Sequence, residues 1–188
     1  MENRKLEHVL GVETITDCYG LHEFRPEWSA FVSRNPPETP FQTPEWLITW
    51  WKHFGSGDLR VMVFRQESRL VGVMPLFLHE WNGRCQLTLI GAGLTDYLDP
   101  LFQPEYTPEI VNRLARELNS WADWDICDWQ DLSGKLRWHP LARPLKKQTA
   151  LKSFCAKPRR YSLAADGSAY LSSGLDQVSR RSCSPPAT

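Results

Sequence analysis

Three apolar segments follow one another between Leu59 and Ile90, joined by connections too short for anything but antiparallel strands. Leu59 to Arg65 runs into Gln66-Glu67-Ser68, Arg69 to His79 returns, and Arg84 to Ile90 follows Asn82-Gly83. Parallel neighbours would need a crossover of about a dozen residues or more, whereas Asn-Gly is the dipeptide a two-residue hairpin turn favours. The chain is therefore built around an antiparallel meander. Pro75 falls inside the middle strand and predicts either a bulge there or a local edge, because it has no N–H for the ladder.

Helices flank this meander. Thr43 as N-cap, Pro44 at the first helical position and Glu45 in the first turn begin one that Gly55 closes, with Trp46, Leu47, Trp50, Trp51 and Phe54 along one face. His53 near its end suits the helix dipole. Earlier, Val12 to Thr16 alternates as a strand does, and Leu21, Phe24, Trp28, Phe31 and Val32 have helical spacing over about 21–32. A breaker-rich loop spans 35–40. Beyond the meander, 94–102 reads as partly extended. Thr107 as cap, with Ile110, Val111, Leu114, Leu118 and Trp121 as buried stripe, predicts a further helix. Trp124 to Trp129 and Thr149 to Cys155 read as strands, with a basic, ambiguous stretch over 136–148 between them. The fold class expected is α/β, an α+β mixed sheet in the order β-α-α-β-β-β-(β)-α-β-α-β. Residues from Ser168 can begin a helix, while Ser182 to Thr188 has no periodicity and reads as a disordered tail.

Composition bounds the function. The 188 residues carry 22 Lys and Arg against 22 Asp and Glu, which gives no electrostatic case for nucleic acid. No apolar run is long enough to span a membrane, and the polar start, Met1 to Lys5, lacks the apolar core of a secretory signal, so the expected location is cytoplasmic. Five scattered cysteines without a C-x-x-C pair read as reduced thiols. Nine tryptophans serve cores, interfaces and sugar-binding surfaces alike.

The element order, with Thr43-Pro44-Glu45-Trp46-Leu47, Trp50-Trp51, Phe54-Gly55, Leu59-Arg60-Val61, Arg69 to Leu76 and Gly91-Ala92-Gly93 followed by Asp96-Tyr97-Leu98-Asp99-Pro100, resembles the N-terminal half of the CelD/BioF-like branch of the bacterial GNAT acyltransferase superfamily. The similarity runs from about Phe41 to Trp129 and more faintly to Arg181. Some members of the branch are described as cellulose-biosynthesis or exopolysaccharide proteins, and their architecture is similar to that of Fem-type aminoacyltransferases, with two GNAT-like domains in tandem. The resemblance implies an acyl-CoA-dependent N-acyltransferase, acetyl-CoA or another acyl-CoA being the donor, with its pocket in the second domain. It also implies that this chain is a truncated or frameshifted first half. On that basis 1–156 is the GNAT-like domain, 157–181 begins the connection to a second, and 182–188 is tail.

A GNAT pyrophosphate loop reads Arg/Gln-x-x-Gly-x-Gly/Ala and opens a helix. Gly91 and Gly93 are the nearest match and the cofactor-binding candidates, yet the next helix starts some fourteen residues later with Pro108 and Glu109 in its first turn. No cofactor is expected on this chain itself. The acceptor-binding candidates are Asp96, Tyr97, Asp99 and Trp81. In an extended stretch Tyr97 and Asp99 share a face and Asp96 points away, which suits a polar acceptor better than paired-carboxylate chemistry. The bland alternative is a turn cap from Asp96 and a packed Tyr97. His79 and Cys85 flank the hairpin without an orienting third group, Cys127 reads as a core residue, and no metal-ligand spacing occurs. Trp81 and Trp138 are free to stack on a ligand or cover a second domain, and Arg143, Lys146, Lys147 and Lys152 read as a solvated basic patch. The acceptor expected is a small molecule, a saccharide or an amine, and an exposed domain face implies self-association. The competing readings are a non-catalytic saccharide-binding module and an inactive gene fragment.

Overall fold

The computed structural model describes residues 10–95, 97–132, 149–153, 161–163 and 169–171. Its strands are β1 (Leu10–Ile15), β2 (Asp58–Gln66), β3 (Arg69–Trp81), β4 (Arg84–Leu89), β5 (Leu101–Phe102), β6 (Ile126–Leu132), β7 (Thr149–Ser153), β8 (Tyr161–Leu163) and β9 (Ala169–Leu171). Among the described residues three helices, α1 (Cys18–Arg34), α2 (Pro44–Phe54) and α3 (Thr107–Ser120), complete a mixed α/β architecture. One sheet runs β1-β2-β3-β4-β6-β7, with β5 on β3, and β8 and β9 pair separately.

The meander forms as its turns dictate. Asn82 and Gly83 both adopt positive φ, 52° and 72°, between the paired Trp81 and Arg84, the conformation of a type I′ hairpin turn. Pro75 lies opposite Val61, and on its other side β3 passes from β5, which ends at Val73, to β4, which starts at Leu76. The Pro75 carbonyl accepts from Ile90 N at 2.9 Å, so the proline sits where the β3–β4 ladder ends, and its missing N–H falls at that end. The bulge of this strand is elsewhere: Phe64 faces Gly72 and Arg65 faces Leu70, which leaves Val71 as the extra residue.

Strand parity separates the two faces. Phe77 packs on Trp50 and Trp51 of α2, each with ring centroids 5.6 Å apart, so odd positions of β3 beyond the bulge face α1 and α2. A side chain at Gly72 would stand 2.8 Å from Ile110 of α3, so even positions face the opposite layer. The core fills both interfaces, with Leu21, Phe24, Trp28 and Phe31 on one side and Ile110, Val111, Leu114 and Leu118 on the other.

The structure corrects several local expectations. Helix α1 starts at Cys18 because Asp17 Oδ1 accepts from Gly20 N at 2.7 Å, and it continues through Pro26 on the strength of its buried stripe. Thr107 is the first helical residue rather than the cap. The 3₁₀ turn Pro104–Tyr106 runs straight into α3, and the Thr107 hydroxyl donates back to the Gln103 carbonyl at 3.1 Å. On α2, Leu47 and Trp50 are buried, while Trp46 and Phe54 are 37% and 60% exposed and lie outside the core. The helix expected from Ser168 is replaced over 169–171 by β9, whose Ala169-Tyr170-Leu171 alternates against Tyr161-Ser162-Leu163. The basic stretch 136–148 with Trp138, the side chain of Lys152, and the tail with Arg180 and Arg181 lie outside the described residues.

Candidate functional site

The central feature is the first of the two parallel pairings in the described sheet, where the antiparallel meander meets β6. Strands β4 and β6 pair in parallel through Gln86–Ile126, Leu87–Cys127 and Thr88–Asp128, and the pairing stops there. β4 then ends in a turn at Gly91, while β6 continues alongside β7, so the two parallel strands part after Thr88 and Asp128. Crevices of this kind are where α/β sheets accept ligands.

A polar row, buried at Thr88 and Asp128 and half-buried at His79 and Gln86, crosses the α2 face next to this opening. His79 of β3 has Nε2 3.3 Å from Thr88 Oγ1, and Gln86 Nε2 donates to Asp128 Oδ2 at 2.7 Å. Thr88 and Asp128 are 8% and 6% exposed. Because β4 supplies Gln86 and Thr88 at positions two apart, one points its hydrogen bond toward β6 and the other meets β3. Burial pushes His79 below its ordinary value, against a weaker upward pull from the Glu80 backbone, so the ring is neutral near pH 7. Its face stacks on Phe77 at 5.1 Å. Sequence reasoning missed this row: Gln86, Thr88 and Asp128 carry no motif, and only the parallel pairing of β4 with β6 makes them neighbours.

The candidates named from the sequence distribute as follows. Gly91 and Gly93 adopt φ of 104° and 86° in the turn after β4. A Cβ on Gly91 would lie 2.8 Å from Leu98 Cδ2 and 3.3 Å from Leu47 Cδ2, so that glycine permits close packing of the turn on α2, while Gly93 faces open space. Tyr97 is exposed and Asp99 half-buried, alternating with buried Leu98 and Pro100, which puts Tyr97 and Asp99 on one outward face. The Asp99 carbonyl is held by Gln42 Nε2 at 2.7 Å, tying this segment to the turn before α2. Asp96 lies outside the described residues. Trp81 is half-buried at the other end of β4 from Gly91, roughly 17 Å along the strand at the usual rise, so it is not brought to the Tyr97–Asp99 face. His79 and Cys85 are separated by register: His79 opposes Gln86 and Cys85 opposes Glu80, which sends the two side chains to opposite faces. Cys127 is fully buried, and its thiol is pushed up first by burial and then by the charge of Asp128. Among the described residues no group of His, Cys, Asp and Glu is placed to hold a metal ion, and no helix is long and apolar enough to cross a membrane.

The residues after β4 do not fit a CoA pyrophosphate. The amides of Ala92 and Leu94 already donate to Leu89 and Gly91 carbonyls, at 3.2 and 3.4 Å. Helix α3 lacks the Pro108 N–H and places Glu109 in its first turn, so its N-terminus offers neither the donors nor the field an anion needs.

No protein-family model and no curated protein matches the chain. Among solved structures, an integron cassette protein from the mobile metagenome of V. cholerae is similar over 80% of this chain and 93% of its own, with a TM-score of 0.43 and 8% identity. An aminoglycoside acetyltransferase from an uncultured soil metagenomic sample, in complex with trehalose, is similar over 82% of this chain and 100% of its own, with a TM-score of 0.41 and 12% identity.

Proposed function

We propose that this chain is the acceptor-side domain of an acyl-CoA-dependent N-acyltransferase of the CelD/BioF-like branch. One observation carries the reading: the β-α-α-β-β-β order leads into a parallel β4–β6 pair that opens after Thr88 and Asp128, yet the turn and helix beyond it have no phosphate cradle. An acyl-CoA supplies an activated acyl group. In this reading a second GNAT-like domain holds it, and the present chain binds and orients the amine that receives the acyl group.

The residues for that task are on the turn and the sheet face. Tyr97 offers an exposed phenol able to donate to or accept from a polar group, and Asp99 lies beside it on the same outward face. The Gln42 side chain holds the Asp99 carbonyl at 2.7 Å and so fixes this segment against the turn before α2. Titration of amino sugars and amino acids, followed by amide shifts in ¹H–¹⁵N spectra, tests the reading. It expects saturable shifts at Tyr97–Asp99 from at least one amine and none from acetyl-CoA. Saturating shifts from acetyl-CoA at 91–94, with no amine response, would overturn it.

A further inference from the structure

A second recess lies on the opposite face of the sheet, beside the edge strand. Thr14 of β1 opposes Met62, and Arg60 of β2 opposes Leu76, so both point into the α3 layer, away from the His79–Asp128 row. With Thr16 and with Trp121, Ala122 and Asp123 from the segment after α3, they line an open surface recess of about 390 Å³. That size is at the lower end of the range for small-molecule sites.

The lining has a definite chemistry. Arg60 Nη2 donates to Asp123 Oδ2 at 2.7 Å, and each of the two side chains is 22% exposed. The guanidinium carbon sits 5.8 Å from the centre of the Trp121 ring, so the head group is fixed by a carboxylate and an aromatic face together. Arg60 Nε–H is buried without a hydrogen-bond partner among the described residues. An anion entering here meets the Asp123 carboxylate, and a cation meets Arg60, so the paired charges disfavour both. A purely apolar guest leaves the buried Arg60 Nε–H without an acceptor. The ligand that satisfies all of these groups is neutral and compact, with several hydroxyls and an apolar face for the half-buried indole.

We infer that this recess is a binding site for a neutral polyhydroxylated molecule of mono- or disaccharide size. Thr14, Thr16, Arg60 and Asp123 meet its hydroxyls, and Trp121 packs against its ring. The site shares no residue with the opening between β4 and β6, so it stands or falls apart from the acyl-transfer reading.

The test is a titration of the whole chain with glucose, N-acetylglucosamine and maltose, read from the Trp121 indole N–H and the amides of residues 14–16 and 122–123. Glucuronate, glucosamine and adenosine serve as anionic, cationic and nucleobase comparisons. Saturable shifts at those positions from a neutral sugar, stronger than from any comparison compound, are expected. Thr14→Val with Thr16→Val keeps the β-branched shape of the strand and removes two hydroxyls, and is expected to weaken binding about fivefold or more. Arg60→Lys keeps the charge but loses the planar fork, and is expected to weaken it further. The inference is overturned if no neutral sugar saturates these signals below roughly 50 mM, an affinity too weak for a formed site. It is equally overturned if a charged sugar or adenosine binds better, or if binding survives both variants unchanged.

Discussion

Burial of His79 beside Phe77 and Thr88 makes this residue a source of pH dependence. Its folded-state affinity for a proton is lowered, first by desolvation, from the ordinary 6.5. Below about pH 6.5 the unfolded chain therefore binds a proton that the folded chain resists, and this contribution to stability is lost as the pH falls through that window. Urea unfolding midpoints of the His79→Gln variant are expected to fall less between pH 7 and pH 5 than those of the parent chain; parallel curves would contradict the assignment. Gly91 and Gly93 make a second contrast at this scale. Both hold positive φ, but only Gly91 would press a new Cβ on Leu98 and Leu47. Gly93→Ala is expected to cost about 1 to 2 kcal/mol from backbone strain alone. Gly91→Ala should cost at least ~1 kcal/mol more from overpacking. Equal losses in denaturant titrations would show that the turn does not rest on α2. The glycines were legible in the sequence as a tight turn, whereas His79, Thr88, Gln86 and Asp128 were not legible as a cluster, because nothing local distinguishes a polar residue on a buried strand face from one facing water.

Between elements, the tie that joins β1, β2 and α1 is the Arg65 side chain, which meets Glu13 at 3.0 Å and also Glu27. The hydrogen bond from Arg65 is the main cause holding the Glu27 carboxyl below its ordinary range. A depressed carboxyl adds stability above its unfolded value near 4.5 and loses it as the pH falls through the folded value. Glu27→Gln should thus destabilise the chain at pH 7 and converge with the parent in acid. Because Glu27 is 39% exposed, screening limits the loss to below about 1 kcal/mol. A loss that persists unchanged at pH 3 would mean that Glu27 acts through packing. The elements themselves were largely legible. Thr43, Pro44 and Gly55 bound α2 as their capping chemistry requires, and Asn82-Gly83 sets the β3–β4 register. Errors came where tertiary context decides. Trp46 and Phe54 share the helical spacing of Trp50 but find no layer to bury them, and Pro26 is carried through α1 by the buried Leu21, Phe24, Trp28 and Phe31.

At the scale of the molecule, the antiparallel meander and flanking helices follow from turn chemistry and periodicity, but the crossover that pairs β4 with β6 does not, since parallel pairing leaves no local signature. That pairing creates the opening after Thr88 and Asp128, and the chemistry of the turn beyond it decides what the opening can hold. In the proposed reading the turn and helix after β4 hold no acyl donor, a second domain supplies it, and this chain binds the acceptor. A calorimetric titration of acetyl-CoA into the purified chain, with folding confirmed by circular dichroism, tests it most directly. A folded chain with no saturable heat at millimolar acetyl-CoA is expected. Saturable binding to the folded chain, weakened by Gly91→Ala or Gly93→Ala, would contradict it and place the donor at the turn after β4.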